Sequence, residues 1–581
     1  MSEGLPDWRA AVEQLTAEGA EFEMTEELVL GRRVRTYVRG PRTLDEIVRS
    51  MPGHGDRIHY VYEGEHLTYT ETHSRIVGLA RWLREVGIVP GDRVALAMRN
   101  YPEWPVVFWA VVSVGAVAVP LNAWWTGREL AYAIGDCGPK LLFADAERME
   151  RLATVGSTGG MIRIGVRAPG AGDLDMEDLL PRSTPTEGEL PELPEVDLHP
   201  DRDATIFYTS GTTGSPKGAV GTHRNMLSNL HAVRFRSAAA ALMRGEDPAD
   251  LPRRSMLLAV PLFHVTGCHS IMQPTAAAGG RLVAMYRWDP VRAVELIARE
   301  EVTAFTGVPT MVLELLDAQE RLGIALPSLR YIGAGGAPAP PEMVRRITTQ
   351  LGIEAGNGYG MTESSALAVA TSGPLYRAAP DSVGHPPPVT DVRIVDEDGR
   401  TLGMGESGEL WIRGPNVVRG YWNRPEATAE AITDGWLHSG DVAVMDADGT
   451  VRIVDRIKDV VIRGGENIYC VEVEDALYEH PGVREAVVFG LPHERLGDEL
   501  AAVVVVRPGF DLDAEAVATH VGERLARFKV PTRIHLRSDA LPRNASGKLL
   551  KRQVREEVLA SGAGRSPRDR SAPEAGDSRG G

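Results

Sequence analysis

Residues 208–218 read YTSGTTGSPKG and follow a short strand-like run, TIF, at residues 205–207. Three glycines let backbone N–H groups approach an anion closely; Ser210, Thr212 and Thr213 add hydroxyl donors, and Lys217 adds a cation. A helix-like stretch is predicted to start near Thr222. By its chemistry the segment is a phosphate-binding loop set after a strand of an α/β sheet. It departs from the Walker pattern GxxxxGK[ST], because Pro216 stands before the lysine. GAGGAP from Gly333 and GNGYG from Gly356 both fail the dinucleotide pattern GxGxxG, which argues against a nicotinamide or flavin fold.

Outward from the loop, residues 67–371 alternate apolar runs of strand length with periodic stretches of helix length, the pattern of crossover units on parallel sheets. VALAM from Val94, LLAVPLF from Leu257 and RLVAMY from Arg281 read as strands, with helices predicted over 290–300 and 341–351. After about Asp381, VRIVDEDGR and GELWIRG predict short antiparallel strands in a barrel-like segment. AVVFG from Ala486, AAVVVV from Ala501 and a helix over 514–528 make a further unit. The expected organisation is an α/β chain. It has an N-terminal extension (1–50), a large domain of parallel α/β subdomains plus a barrel-like segment (51–455), a small mobile α+β domain (456–560) and a disordered tail (561–581). Residues 182–200, rich in Pro and Glu, read as a surface excursion.

Composition narrows the function classes. Against 63 Lys and Arg stand 80 Asp and Glu, a net charge of −17 that disfavours nucleic acid as a partner. The three cysteines, Cys137, Cys268 and Cys470, form no CxxC pair, so a reducing compartment fits better than a disulfide or zinc framework. The N-terminus lacks a basic start and an apolar core and reads as an amphipathic helix, which points to the cytoplasm. Residues 104–121, WPVVFWAVVSVGAVAVPL, are divided by Pro105, Gly115 and Pro120 into a buried helix and a short strand rather than a membrane span. Peripheral membrane contact stays open. GDSRG at 576–580 has no strand–helix context for a hydrolase nucleophile.

Further segments stand in order around the loop. They are PLFH from Pro261, GAGGAP from Gly333, NGYGMTES from Asn357, GELWIRGPNVVRGYW from Gly408, DGWLHSGD from Asp434, DRIKD from Asp455, RGGENI from Arg463 and LPRNASGK from Leu541. Across residues 67–552 the chain resembles the acyl-CoA synthetase branch of the adenylate-forming, AMP-binding enzymes. The resemblance implies an acid:CoA ligase that uses ATP, Mg²⁺ and CoA. A carboxylic acid and ATP give acyl-AMP and pyrophosphate, and the CoA thiol then gives acyl-CoA and AMP.

The resemblance also implies roles for particular residues. Thr209, Ser210, Gly211, Thr213, Gly214 and Lys217 would bind the phosphates, with Thr212 and Glu363 on the Mg²⁺ side. Gly335, Gly336 and Ala337 would lie against adenine, together with Asn357, Gly358, Tyr359, Gly360, Met361 and Thr362, of which Tyr359 offers a flat face. Asp441 and Arg456 would hold the ribose. Lys548 would bridge the substrate carboxylate and the α-phosphate, and Lys458 would be the hinge that brings it in and clears it.

His264 would line the junction of the acyl and nucleotide pockets. Amino-acid-activating relatives usually carry aspartate after the residue matching Phe263, and without it a buried ammonium would stand unpaired. The implied acid is therefore fatty or aryl, with the small residues 275–280, TAAAGG, expected to shape an uncharged tunnel. Cys268 stands where some long-chain members have a gating tryptophan. Two other readings stay open at this level: loading of a carrier-protein phosphopantetheine, and a catalytically silent nucleotide-binding protein. Aliphatic or aromatic preference, chain length, oligomeric state and the role of the first 50 residues are likewise open.

Overall fold

The computed structural model describes residues 7–155, 160–181, 190–209, 216–463, 466–493, 496–544 and 547–561. The chain divides into two units between Ile453 and Val454.

The large unit is built on two eight-stranded sheets. In the first, Arg93–Ala97, Val117–Pro120, Leu141–Ala144, Ile162–Gly165, Leu174–Asp175 and Asp203–Thr209 run parallel, and Lys217–Thr222 and Gly420–Tyr421 add an antiparallel edge. In the second, Ile58–Tyr62, Arg281–Ala284, Ser255–Leu258, Ala304–Gly307, Tyr331–Gly335 and Glu354–Tyr359 run parallel, flanked by antiparallel Glu65–Thr68 and Val369–Ser372. Strand alternation explains why both faces are apolar. Val94 and Leu96 join the main core with Leu257, Val283 and the helix residues Trp104, Phe108 and Trp109, whereas Ala95 and Ala97 face a second core with Leu130 and Ile134.

The apolar run at 104–121 becomes the helix Glu103–Ser113 and the strand Val117–Pro120. Among the described residues no helix is long and apolar enough to cross a membrane. The segment after Asp381 forms an antiparallel sheet, with Ser407–Arg413 between Asp391–Val395 and Trp436–Met445.

Two local expectations need correction. Between the phosphate loop and the helix lies a strand, Lys217–Thr222, which the glycines in KGAVGT conceal; the helix itself, His223–Arg244, starts where expected, with Thr222 and Asn225 forming a reciprocal cap. The helix over 514–528 ends at Gly522 and resumes as a single turn, Arg527–Lys529, because glycine is a poor helix former and the following residues are mostly exposed. The end of TAAAGG packs against Tyr69 and His54: Tyr69 Oη donates to Gly280 O at 2.7 Å, and a Cβ on Gly279 would stand 2.6 Å from His54 Nδ1.

The N-terminal residues are structured on the large unit. Trp8–Thr16 is a helix, and Met24–Val29 with Arg32–Tyr37 is a hairpin. Trp8 and Phe22 meet Phe235 of the long helix edge to face, and Arg224 reaches Glu27 at 2.8 Å. Of the expected surface excursion, residues 182–189 lie outside the described residues, and 190–199 carry no helix or strand. The tail from residue 562 lies outside them as well.

In the small unit, Gly497–Val506 pairs with Val483–His493, Val461–Arg463 and Arg533–Arg537. One face of this sheet packs on the helices Cys470–Tyr478 and Ala514–Gly522, and the other on Lys551–Ala560.

Candidate active site

The segments singled out in the sequence of the large unit follow the carboxyl ends of parallel strands. Thr209 closes one strand of the first sheet; Gly335 and Tyr359 close two of the second, and Pro261–His264 follows Ser255–Leu258. Open α/β sheets bind ligands at such ends.

The phosphate loop is the turn of a hairpin, since Thr209 pairs with Lys217. Ser210, Gly211, Thr212, Thr213 and Gly214 lie outside the described residues. Both ends of the loop are fixed to one helix, Gly127–Cys137, itself started by a Thr126–Glu129 capping box. Tyr208 Oη donates to Asp136 Oδ2 at 2.8 Å, and Tyr132 Oη donates to Pro216 O at 3.3 Å. Arg424 pairs with the second Asp136 oxygen at 2.8 Å, so this mostly buried carboxylate is held between Tyr208 and Arg424.

Glu363 sits in the turn Thr362–Ser364 and is 6% exposed. Two left-handed residues, Ser365 and Ala366, turn the chain back after it, a conformation that costs energy away from glycine and marks a position held by its surroundings. Tyr421 Oη donates to Glu363 Oε1 at 2.7 Å, and the Lys217 ammonium lies 5.2 Å from the Tyr421 ring centre. Burial raises the Glu363 carboxyl above its usual range, opposed by the Tyr421 hydrogen bond and by the charge on Lys217.

This environment suits Mg²⁺: a buried carboxylate with one oxygen occupied offers the other as a hard ligand. Among the described residues no cluster of three or more His, Cys, Asp or Glu forms a self-contained metal site. The cation would take its remaining ligands from phosphate oxygens, water and the loop hydroxyls.

Tyr359 and Asp441 are brought together, the tyrosine hydroxyl donating to Asp441 Oδ2. Gly335 pairs with Gly358 and Ala334 with Asn357, which places the GAGGAP and NGYG segments side by side and leads directly to Gly336 and Ala337. Asn357 is buried and donates to Ser382 O at 3.4 Å. A Cβ on Gly360 would stand 1.7 Å from Ala366 O, so that turn admits only glycine. Met361 N donates to Ser364 Oγ at 3.0 Å and closes the turn that carries Thr362 and Glu363.

His264 packs at a tilt against Phe263, with ring centres 4.8 Å apart and planes 53° apart. Burial lowers its pKa to about 4, so it is a neutral imidazole at neutral pH, and its Nε2 is buried without a partner among the described residues. Cys268, fully buried, lies in the π-helical turn Thr266–Met272.

In the small unit Lys548 occupies a turn stapled by Asn544, whose N donates to Lys548 O at 2.8 Å and whose Oδ1 accepts from Lys548 N at 2.9 Å. Gly547 has φ +83°, a conformation that favours glycine. Glu485 holds the base of the turn, accepting from Arg543 at 2.8 Å and from Leu541 N at 3.2 Å. Arg456 ends one strand, and Lys458 lies in the short turn Ile457–Asp459. That turn is tied back by Cys470, whose thiol donates to Asp459 O at 3.2 Å while its N–H donates to Asp455.

Sequence reasoning missed Tyr421, Asp136, Glu485 and Lys551. Tyr421 lies inside the GELWIRGPNVVRGYW motif, where a role could have been sought; an isolated aspartate, glutamate or lysine carries no such signal.

Comparisons with known proteins cover most of the chain. Residues 47–422 match the AMP-binding enzyme family, and residues 472–548 match the AMP-binding enzyme C-terminal domain. A feruloyl-CoA synthase from Amycolatopsis sp is 38% identical over 492 residues, covering 85% of this chain and 94% of that protein. A long-chain-fatty-acid–CoA ligase from Yersinia pestis is 33% identical over 541 residues, covering 88% of this chain and 93% of that protein. Among solved structures, ATP-bound MatB from Rhodopseudomonas palustris superposes with a TM-score of 0.75 at 30% identity, covering 89% of this chain and 99% of that one. With a buried carboxylate beside the phosphate hairpin and both family segments in order, the chain belongs to the AMP-binding enzyme family.

Proposed function

We propose that this protein is an ATP-dependent carboxylic acid:CoA ligase acting on a fatty or aryl acid in the cytoplasm. One observation carries the reading: buried Glu363 and Lys217 meet through Tyr421 at the edge of the phosphate hairpin. A buried carboxylate beside a lysine and a glycine-rich turn suits a triphosphate with its divalent cation.

In the first step a carboxylate oxygen of the acid bonds to the α-phosphorus of ATP as the bond to the bridging oxygen breaks, and pyrophosphate leaves. Lys217 and the loop, including Thr209, Ser210, Gly211, Thr213 and Gly214, hold the phosphates. Glu363 and Thr212 would hold Mg²⁺, which supplies charge neutralisation on the phosphate oxygens. Tyr359, with the strand-end glycines, binds adenine. Asp441 and Arg456 accept and support the ribose hydroxyls. Lys548 stabilises charge shared between carboxylate and α-phosphate, an interaction strongest in the transition state. In the second step the CoA sulfur attacks the acyl carbonyl carbon and AMP leaves. Rotation of the small domain at Lys458 clears Lys548 between the steps. Neutral His264 beside Phe263 favours an acid without an ammonium group.

The experiment is a panel of acids with ATP, Mg²⁺ and CoA, read as AMP released: short to long fatty acids, benzoates, cinnamates and amino acids. Fatty or aryl acids are expected to react. An amino acid favoured about tenfold or more in kcat/KM over the best of them would overturn the pocket reading. AMP release with a carrier protein but never with CoA would change the acceptor.

A further inference from the structure

The segment Gly420–Tyr421 was singled out only as the end of a motif, yet it touches two parts of the site at once. Its strand pairs antiparallel with the one that leaves the phosphate loop, Tyr421 opposite Ala219 and Gly420 opposite Val220. Backbone bonds extend the junction on both sides: Trp422 N donates to Gly218 O at 2.7 Å, Arg419 N to Val220 O at 3.0 Å, and Val418 N to Glu363 O at 2.9 Å. Thr428 Oγ1 accepts from Tyr421 N at 2.9 Å, which fixes the tyrosine backbone from a further side. From this braced position the Tyr421 ring lies under the Lys217 ammonium, and its hydroxyl reaches Glu363 Oε1.

We propose that Tyr421 is a positioning residue for the metal-binding carboxylate, fixing the Glu363 rotamer so that Oε2 faces the cation at the phosphate loop. The inference rests on the reading of Glu363 as a metal ligand. A carboxylate on a short turn has two rotatable side-chain bonds before its terminal torsion, and ordering it at the moment of metal binding would weaken that binding. A hydrogen bond from a hydroxyl mounted on a paired strand orders it beforehand. Among the described residues no other side chain donates to this carboxylate, so the effect is concentrated in one hydroxyl. The aromatic ring adds a second function, holding the lysine cation over its face on the same side of the loop.

The test is Tyr421→Phe, which keeps the ring and removes the hydroxyl. Mn²⁺ binding to the full chain with α,β-methylene-ATP, followed by electron paramagnetic resonance, is expected to weaken about tenfold. The Mg²⁺ concentration for half-maximal pyrophosphate exchange should rise by a similar factor. Binding of the same nucleotide in EDTA should be unchanged, because Lys217 keeps its aromatic platform. A change in Mn²⁺ affinity smaller than about threefold would overturn the proposal. So would an equal loss of nucleotide affinity in EDTA, which would mean that Tyr421 acts through the loop. Glu363→Gln separates the two readings. If it leaves Mn²⁺ binding intact, the metal assignment of Glu363 fails; if it weakens Mn²⁺ binding while Tyr421→Phe does not, only the positioning role fails.

Discussion

Glu363 and Lys548 both sit on tight turns, but the two units hold those turns by different physics. In the large unit the carboxylate is fixed by a tyrosine hydroxyl, by backbone pairing and by a glycine whose Cβ would collide with Ala366 O. Four buried histidines of this unit, His223, His231, His264 and His269, each have their pKa lowered to about 4 by burial and are neutral. In the small unit the framework is ionic. Glu485 anchors the Lys548 turn through Arg543, and Lys551, three residues further on, lies 3.2 Å from Glu474. Glu474 also accepts from Val488 N at 2.8 Å. Among the described residues of the large unit, the charges near the phosphate hairpin are few and partnered, Glu363 by Tyr421 and Asp136 by Arg424, while the buried histidines are neutral. If the small domain swings as proposed, paired charges help it keep its shape, since they lose much when either partner is removed.

The largest effect that tests this contrast is at Lys548. Lys548→Ala should slow acyl-adenylate formation by about 10²–10³, the usual loss for one transition-state donor, and leave transfer from supplied acyl-AMP to CoA much less affected. Equal losses in both half-reactions, measured by pyrophosphate exchange and by thioester formation, would make the lysine structural and erase the distinction between its turn and the Lys551 framework. Next in size, Lys551→Met should destabilise the small unit by about 2–3 kcal/mol. This is below the range for a fully buried pair, because the lysine side chain keeps 23% of its surface exposed. Adding Glu474→Gln should recover part of the loss while preserving the acceptor for Val488 N. Hydrogen exchange in the helices Cys470–Tyr478 and Lys551–Ala560 reads this directly, and unchanged protection in Lys551→Met would show the ion pair to be dispensable.

The large unit can be probed through its neutral histidines. Their folded pKa of about 4 lies below the ordinary value near 6.5, so the unfolded chain takes up protons first as pH falls. Their contribution to stability is complete above about pH 6.5 and is lost progressively towards pH 4. All ten tryptophans precede Ile453, so tryptophan fluorescence follows this unit alone. Its melting temperature should fall steadily across that window. Burial raises the Glu363 carboxyl in this unit and the Glu474 and Asp455 carboxyls in the small unit, so the folded state binds these protons more readily and these groups act in the opposite sense. A flat fluorescence profile between pH 6.5 and 4.5 would contradict the neutral-histidine picture.

Much of the fold was legible because burial on both sheet faces leaves near-continuous apolar runs such as VALAM and LLAVPLF, which no surface segment would carry. The site segments were legible as motifs, but their relations were not. Nothing in the spacing from Glu363 to Tyr421 tells that a hydroxyl crosses 58 residues to meet that carboxylate. The strand Lys217–Thr222 was hidden because two of its residues are glycine and its pairing with Gly420–Tyr421 is non-local. In the first 50 residues the amphipathic helix was legible and is Trp8–Thr16, but its partner was not, for a similar reason: Trp8 and Phe22 meet the distant Phe235.

The smallest predicted effect concerns Cys470, and it sharpens the comparison at the turn that carries Lys458. The thiol is fully buried, and burial raises its pKa, so it is protonated at neutral pH and donates to Asp459 O at 3.2 Å. Its reactive form, the thiolate, is therefore scarce, and thiol reagents should label the folded protein at this position far more slowly than the unfolded chain. Serine keeps a donor of similar shape, so Cys470→Ser should change stability by less than about 1 kcal/mol and preserve both half-reactions. Cys470→Ala removes the donor and leaves a carbonyl short of a partner, a loss of about 1 kcal/mol that should appear first as faster hydrogen exchange around residues 457–460. If serine and alanine behave alike in that segment, the thiol is only filling space. The turn at Lys458 would then be held by the Asp455 bond to the Cys470 backbone, an attachment that survives any side chain at position 470 except proline.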